Sequence, residues 1–157
     1  MRTTVITDKN EIEDIISHCD VCFVGIIEGD GSPYVIPMNF GYANGEIILH
    51  SGPEGKHLGL LDHDNRVCVT FCGDRRLVYQ HPDVACSYSM NSKSVLCKGR
   101  VTFIEDLEEK EAAMRLTMKN YTDITTFKFT KPALANVKVW RVSVEVMTAK
   151  AFGQNFK

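Results

Sequence analysis

The sequence predicts a mainly β protein, an antiparallel barrel of about six strands with helices at its periphery. Three observations support this fold class. The apolar residues fall mostly in short runs with β-type patterning, tight hairpin turns link the runs of the first half, and only two segments have convincing helical spacing. Strands joined by hairpins pair antiparallel, whereas parallel strands need long crossovers. At 157 residues the chain fits a single domain over 1–157.

Turn and capping residues set the limits of the predicted elements. Asp8, with Glu11 three residues later, is typical of a helix start. Asn44-Gly45 is a strong hairpin signal, and Gly29–Ser32 is a second turn. The predicted elements, in chain order, are a helix over 8–18, strands over 21–27, 34–42 and 46–51, a short helix after 56, strands over 66–72 and 94–104, a helix over 105–121 and a strand over 137–149.

Some segments carry more specific expectations. Val21–Ile27 is apolar throughout, which predicts a strand covered on both faces. Pro37 cannot donate a ladder hydrogen bond, so we expect a bulge or an unpaired edge there. The segment 73–93 has the least regular pattern, which indicates an insertion-like loop or an irregular edge. In the last strand, Trp140 and Val146 are expected on one apolar face.

Composition and charge exclude several classes of protein. Hydrophobic residues make up 44% and charged residues 24% of the chain, a globular balance that excludes disorder. The net charge of −2 gives no electrostatic footprint for nucleic acid or an anionic membrane. The first residues lack the apolar core of a secretory signal, and no apolar run is long enough to span a bilayer. We therefore expect a cytoplasmic protein that binds neither nucleic acid nor membrane.

Six cysteines raise the question of a redox or metal site. Cys19 and Cys22 form a C-x-x-C pair, but at the C-terminal end of a predicted helix, where the helix dipole does not lower a thiol pKa. Cys68 and Cys72 are four apart on a predicted strand, which is not a chelating turn. We therefore expect buried, free thiols and no metal.

One histidine, His50, stands apart from the other four. It shares a strand face with Ile48 and lies immediately before a glycine-containing loop, so it is either a core residue or a functional one. His18, His57 and His63 fall on or beside polar helix surfaces, where we expect them to be solvated. No order of Ser, His and Asp typical of nucleophilic hydrolysis is visible.

The loop from Ser51 to Lys56 has the parts of a phosphate site. It supplies a hydroxyl, two glycines with exposed N–H groups, an ammonium and the positive end of a short helix. The alternative is an ordinary strand-to-helix connection with a capping serine, and Glu54 would repel a phosphate unless it pointed away. The residues alone leave both interpretations open.

Several segments, taken in order, carry a resemblance to a known family. They are Tyr34–Tyr42, Asn44-Gly45, Leu49–Lys56, Arg66–Val69, Ser92–Val101 and Glu105–Lys110. Together they resemble the split-barrel flavin-binding family that includes the pyridoxamine 5′-phosphate oxidases and, closer to this chain, the 5-nitroimidazole antibiotic resistance proteins. The resemblance covers roughly residues 10–150, and its first block is quite specific.

The resemblance implies a six-stranded antiparallel split β-barrel that forms a homodimer and holds FMN at the dimer interface. His50 is the implied catalytic residue, because it is the one plausible proton donor near neutrality. The implied cofactor-binding residues are, along the flavin, Pro37, Met38, Asn39 and Phe40; beside the ribityl phosphate chain, His50 and Ser51; at the phosphate, Gly55 and Lys56; and, from the same chain or the partner chain, Lys93 and Ser94.

The implied activity is that of an FMN-dependent oxidoreductase that reduces small nitroaromatic or related compounds, with the flavin carrying the electron chemistry. The alternatives are a flavin-binding or storage module without turnover, and the same barrel with FAD or haem. Two features depart from the family pattern. Lys93 stands where the family usually has arginine, which loses the bidentate geometry. The tail 147–156 lacks the Arg/His substrate motif of the vitamin B6 oxidases, which argues against pyridoxamine phosphate as the substrate.

Overall fold

Eight strands and four α-helices make up the computed structural model, which describes residues 2–153. All six predicted strands are present, together with the predicted helices. The sequence analysis missed the first strand and treated the segment 34–42 as one strand instead of two. The elements are β1 (Arg2–Ile6), α1 (Lys9–Ser17), β2 (Cys22–Ile27), β3 (Pro33–Met38), β4 (Phe40–Ala43), β5 (Glu46–Ser51), α2 (Lys56–His63), β6 (Arg66–Tyr79), β7 (Tyr88–Ile104), α3 (Leu107–Lys119), α4 (Lys131–Ala135) and β8 (Lys138–Gly153).

The strands form one antiparallel sheet whose two ends are neighbours in the sequence. The hydrogen-bonded order is β3-β2-β6-β7-β8-β5-β4, with β1 paired to β8. β3 and β4, at the two ends of this order, are separated only by Asn39. Within the described residues β3 pairs with β2 alone. The unpaired edge expected at Pro37 is therefore confirmed.

Local signals placed the first helix and the hairpins as predicted. The Asp8 carboxylate accepts a hydrogen bond from the Glu11 N–H at 2.9 Å and caps α1. Asn44 and Gly45 have positive φ angles of 52° and 81°, as a two-residue hairpin turn requires. They connect β4 to β5, which pair antiparallel.

Two apolar clusters lie on opposite faces of the sheet. The larger one joins inward-facing strand residues, including the fully buried Phe40 and Trp140, to the apolar sides of α1 and α2. The smaller one lies where α3 packs on β5 and β8. Gly41 of β4 allows this close packing, because a Cβ there would lie 2.8 Å from the Thr117 nitrogen of α3.

β2 contradicts the prediction that Val21–Ile27 is covered on both faces. Alternate residues starting at Cys22 are buried, but Phe23 is 46% exposed and Ile27 is 38% exposed. A continuous apolar run does not tell a face buried within the chain from one left at its surface. The outward face of β2 is therefore an exposed apolar surface.

The segment 73–93 is a hairpin with an irregular register, and not the insertion-like loop that was one of the two expectations. β6 and β7 pair as far as Tyr79 and Tyr88, with a register shift between Gly73 and Arg76. An irregularity of this kind moves side chains from one face to the other, so the period-two pattern is lost in the sequence.

A second register shift changes the last strand. The residues of β8 opposite Lys98 and Gly99 are not consecutive, because Glu145 is an extra residue in β8. Trp140, before this bulge, is fully buried, whereas Val146, after it, is 53% exposed. The expectation that the two residues share an apolar face is therefore wrong for Val146.

The longest helix, α3, has 13 residues and carries a buried lysine. The Nζ of Lys110 donates to the carbonyl oxygens of Leu134 at 3.3 Å and Val137 at 2.8 Å. These bonds tie α3 to α4 and to the start of β8, and they satisfy the ammonium of a residue that is only 3% exposed. In the described part of the chain, no helix is long and apolar enough to cross a membrane.

Candidate functional site

The loop between β5 and α2 leaves the N-terminus of α2 without a side-chain cap. Gly55, at the cap position, has a φ of 148°, a conformation that favours glycine, and among the described residues no side chain caps this end. In α1 and α3, Asp8 and Asp106 do accept such bonds. The first N–H groups of a helix have no partner within it, and the helix dipole is positive there. This end of α2 can therefore receive an anion.

Ser51, at the end of β5, contacts two aromatic side chains. Its Oγ lies 3.0 Å from the His57 Nε2 and accepts a hydrogen bond from the Trp140 Nε1 at 3.3 Å. The rings of His57 and Trp140 are 5.1 Å apart and tilted by 31°. Ser51 is therefore not the cap of α2, so the capping serine of the alternative interpretation is wrong.

His57 is not the solvated residue that the sequence analysis expected. It is half-buried, and burial lowers its pKa, which keeps the ring neutral at pH 7. The backbone of Gly55 makes room for the ring, because a Cβ at that residue would lie 2.5 Å from the His57 Cε1. Trp140 reaches this ring from the far end of the chain, so no local pattern could reveal the contact.

Lys56, the first residue of α2, extends its ammonium to the hairpin between β2 and β3. Its Nζ lies 2.6 Å from the Glu28 Oε2 and 5.0 Å from the centre of the Tyr34 ring. The hydrogen bond to Glu28 raises the pKa of Lys56. The sequence analysis missed Glu28 and Tyr34 as parts of this site, because residues so distant along the chain give no local signal.

His50 lies on the opposite face of β5 from Ser51, since neighbouring strand residues point to opposite faces. Ile48 and Val139, which share its face, belong to the smaller cluster beside α3. The Nδ1 of His50 is buried and has no hydrogen-bond partner within residues 2–153. Burial also lowers the pKa of His50. A buried, unpaired ring nitrogen is an atom that a bound molecule could satisfy.

The predicted flavin-lining residues 37–40 span the end of β3 and the start of β4. Pro37 and Asn39 are exposed, Met38 packs against the larger cluster and Phe40 is fully buried within it. A ligand lying along this segment would therefore meet two side chains and otherwise the backbone.

Tyr121, just after α3, holds this segment in place. Its hydroxyl accepts a hydrogen bond from the Phe40 N–H at 2.9 Å and donates to the Asp20 carbonyl at 2.8 Å. The Asn39 Nδ2 donates to the same carbonyl at 3.3 Å. The break between β3 and β4 is thus tied to the loop before β2.

Lys93 and Ser94 lie on β7, and Lys93 lines a cavity of about 810 Å³. The Lys93 Nζ is 3.1 Å from the Glu11 Oε1 and 3.3 Å from the Asp74 Oδ2. The hydrogen bond to Glu11, and then the one to Asp74, raise the pKa of Lys93. Ser94 is half-buried and pairs with Cys72 of β6. Lys93 therefore lies among α1, the bulge of β6 and the strands beside them.

The structure separates the predicted phosphate and flavin residues into two groups. Lys56 bonds Glu28, which follows β2 two residues after Ile26. Ile26 pairs with Val67 at the start of β6. Lys93 pairs with Gly73, farther along the same strand β6. At roughly 3.3 Å per residue, these two positions of β6 are about 20 Å apart. The Lys56 and Lys93 of one chain therefore lie in separate regions.

The C-x-x-C pair is buried, and its thiols are free. Burial raises the pKa of Cys19, and it raises the pKa of Cys22 to about 12, so neither is a reactive thiolate at neutral pH. Cys97 is also buried, but Cys72 and Cys86 are exposed. The expectation of buried thiols is therefore right for only part of the set. The described residues contain no group of three or more His, Cys, Asp and Glu side chains placed to hold a metal ion.

Comparison with known proteins gives a family match over most of the chain. The model of the family described as pyridoxamine 5′-phosphate oxidase matches residues 8–151, which run from the cap of α1 almost to the end of β8. No curated protein matches the chain with significant similarity.

Solved structures share the fold over nearly the whole chain. A candidate 5-nitroimidazole antibiotic resistance protein from Bacteroides thetaiotaomicron is 53% identical, with a TM-score of 0.88 over 97% of this chain and 89% of that chain. A flavocytochrome from Azotobacter vinelandii is 20% identical, with a TM-score of 0.79 over 96% of this chain and 70% of that one. An FAD-binding protein from Mesorhizobium loti is also 20% identical, with a TM-score of 0.69 over 98% and 100%. At this identity the last two show a likeness of fold alone.

Proposed function

This chain belongs to the pyridoxamine 5′-phosphate oxidase family, and we propose that it is an FMN-dependent oxidoreductase that reduces small nitroaromatic compounds. The 53% identity to a candidate nitroimidazole resistance protein supports this class of substrate. The uncapped N-terminus of α2 supports a cofactor that ends in a phosphate.

The observation that carries the proposal is the uncapped N-terminus of α2, whose flanking residues offer three kinds of group. Lys56 supplies a permanent positive charge, Ser51 a hydroxyl, and the loop around Gly55 supplies backbone N–H groups. A phosphate there would form charge-assisted hydrogen bonds and lie at the positive end of the helix dipole. The residues present therefore fit the phosphate of FMN.

When bound, FMN supplies the electron-transfer chemistry, and the chain positions it and controls protons. We assign the proton donor role to His50, whose buried Nδ1 has no partner among the described residues. Its lowered pKa keeps the ring neutral near pH 7, where one ring nitrogen donates a hydrogen bond and the other accepts one. His50 would therefore have to take up a proton before it could pass one on. The segment 37–40 would offer mainly backbone groups to the ring system of the flavin, since Met38 and Phe40 are turned into the core.

The proposed architecture is a split barrel in which two chains form a homodimer around the flavin. The junction of β3 and β4 through Asn39 supports the barrel, because it joins the two ends of the sheet along the chain. The exposed Phe23, Val35 and Leu96, on β2, β3 and β7, support an apolar interface. Sedimentation should give twice the 17.6 kDa mass of one chain, and a monomer at micromolar concentration would contradict the dimer.

The first experiment is the absorbance spectrum of the purified protein, followed by mass spectrometry of the released cofactor. A flavin spectrum with FMN mass is expected, whereas FAD or haem would redirect the assignment of the cofactor. The reduced protein should then be mixed with a nitroimidazole. Reduction by a nicotinamide donor and reoxidation by the nitro compound support an enzyme. A bound flavin that neither step affects would indicate the alternative, a flavin-binding or storage module.

A further inference from the structure

We propose that Glu28 competes with the ligand's phosphate for Lys56 and thereby limits how strongly the site favours phosphorylated over unphosphorylated ligands. This inference rests on the proposed function, because it takes the N-terminus of α2 as the phosphate site. The Glu28 Oε2 lies 2.6 Å from the Lys56 Nζ, the distance of a strong charge-assisted hydrogen bond. The carboxylate takes up one of the three donors of the ammonium and places a negative charge where an anion must approach.

The β2–β3 hairpin fixes the backbone that carries this carboxylate. The Glu28 N–H donates to the Ser32 carbonyl at 2.9 Å, and the Glu28 carbonyl accepts from the Gly31 N–H at 2.9 Å. The Glu28 side chain is 26% exposed, against 54% for Lys56. Glu28 is therefore the anchored partner, and the long lysine side chain is the one that can turn toward a ligand.

The other groups around the ammonium do not compete in the same way. The carboxylate of Asp30 is engaged within its own turn, where it accepts from the Ser32 N–H at 2.9 Å and from the Ser32 hydroxyl. The Tyr34 ring lies 5.0 Å from the Lys56 Nζ and attracts the cation through its face without an acceptor atom. Exchange of Glu28 for a phosphate would thus leave the contact with Tyr34 available.

The test is the variant Glu28→Gln, which removes the charge and keeps the size of the side chain. The flavin-free variant should bind FMN about two- to fivefold more tightly than wild type at low salt, the range expected for an exposed ion pair. Its affinity for riboflavin should not change. The matched control is Glu111→Gln, which removes the same charge from an ion pair with Arg115 in α3, outside the phosphate site, and should leave both affinities unchanged. Thermal unfolding confirms that each variant is folded.

Three outcomes would overturn the competition. The first is weaker FMN binding by Glu28→Gln, which would make Glu28 a residue that positions Lys56. The second is an equal gain in affinity for FMN and riboflavin. The third is a gain in FMN affinity that persists when Lys56→Ala is also present. If wild type binds no flavin, the proposed function fails. The inference about Glu28 is then tested by the binding of inorganic phosphate. Phosphate titrated against the backbone amide signals of residues 55–57 should bind more tightly to Glu28→Gln. Equal binding, or none, in both proteins would overturn the inference.

Discussion

The two lysines expected at the flavin lie in surroundings that differ in kind. Lys56 stands at a helix N-terminus, half exposed, with the single carboxylate of Glu28 beside it. Lys93 is 30% exposed and lies between Glu11 and Asp74, which come from two different elements. A lysine with one acid at a positive helix end can exchange that acid for a ligand anion. A lysine held by two acids is first a link between elements, and a ligand must displace more to reach it.

The largest effect is expected from removing the charge at the α2 end. Loss of a hydrogen bond to a charged group typically costs about 1.5–3 kcal/mol. Lys56→Ala should therefore weaken FMN binding roughly ten- to a hundredfold. Titration of flavin-free protein with FMN and riboflavin measures this, and riboflavin, which has no phosphate, should be nearly indifferent. An equal loss for both flavins would mean that the loop has only a structural role.

Mixed dimers test whether the two lysines belong to one site. Lys93→Ala alone should weaken FMN binding by about tenfold if Lys93 contacts the flavin. A shared site pairs Lys56 of one chain with the partner's Lys93. A dimer of one Lys56→Ala chain and one Lys93→Ala chain then keeps one intact site and binds FMN tightly at half stoichiometry. No tight site in the mixed dimer would show that each chain binds flavin alone. Unchanged FMN binding by the Lys93→Ala homodimer would show that Lys93 does not take part.

A smaller effect is expected on the pH dependence of stability, which differs between the region of Lys56 and the region of Lys93. Burial lowers the pKa of His57 below 6.5, so its stabilising contribution is complete above that pH and is lost as the pH falls through the folded pKa. His18, near Asp74, behaves oppositely. Its hydrogen bond to the Asp14 carbonyl raises its pKa, so its contribution is present below 6.5 and is lost as the pH rises.

Urea unfolding between about pH 5 and 8 measures both contributions. His57→Gln should reduce the loss of stability on the acid side, where His50 acts with the same sign. His18→Gln should remove the small opposite slope and is the matched control. A pH dependence unchanged by His57→Gln would contradict the buried, neutral state of this ring.

Chelators are expected to have no effect on stability or flavin content, because we expect the cysteines near Lys93 to bind no metal. Cys19 lies beside the backbone of Gly73, with its Sγ donating to the Ile15 carbonyl at 3.2 Å. Because these contacts need no metal, treatment with a chelator should leave the melting temperature and the flavin content unchanged. Stoichiometric zinc in the purified protein would reopen a metal role for Cys19 and Cys22.

Features that depend on a few neighbouring residues could be predicted from the sequence. The Asp8 cap, the Asn44-Gly45 turn and the unpaired edge at Pro37 each follow from the backbone chemistry of one or two residues. The mainly β class could be predicted from the β-type apolar runs and the hairpin turns taken together. The loop from Ser51 to Lys56 was also visible as a candidate phosphate site, because its hydroxyl, glycines and ammonium are adjacent in the chain.

Only the tertiary structure decided which side chains meet. It left one face of β2 exposed, turned His57 onto Trp140, and placed Glu28 on Lys56. Each outcome depends on strands that are distant in sequence and on the register between them. The bulge at Glu145 shows the reason most directly, because one extra residue in β8 sends the following side chains to the opposite face. Backbone preferences are local, whereas burial and ion pairing are properties of the assembled sheet.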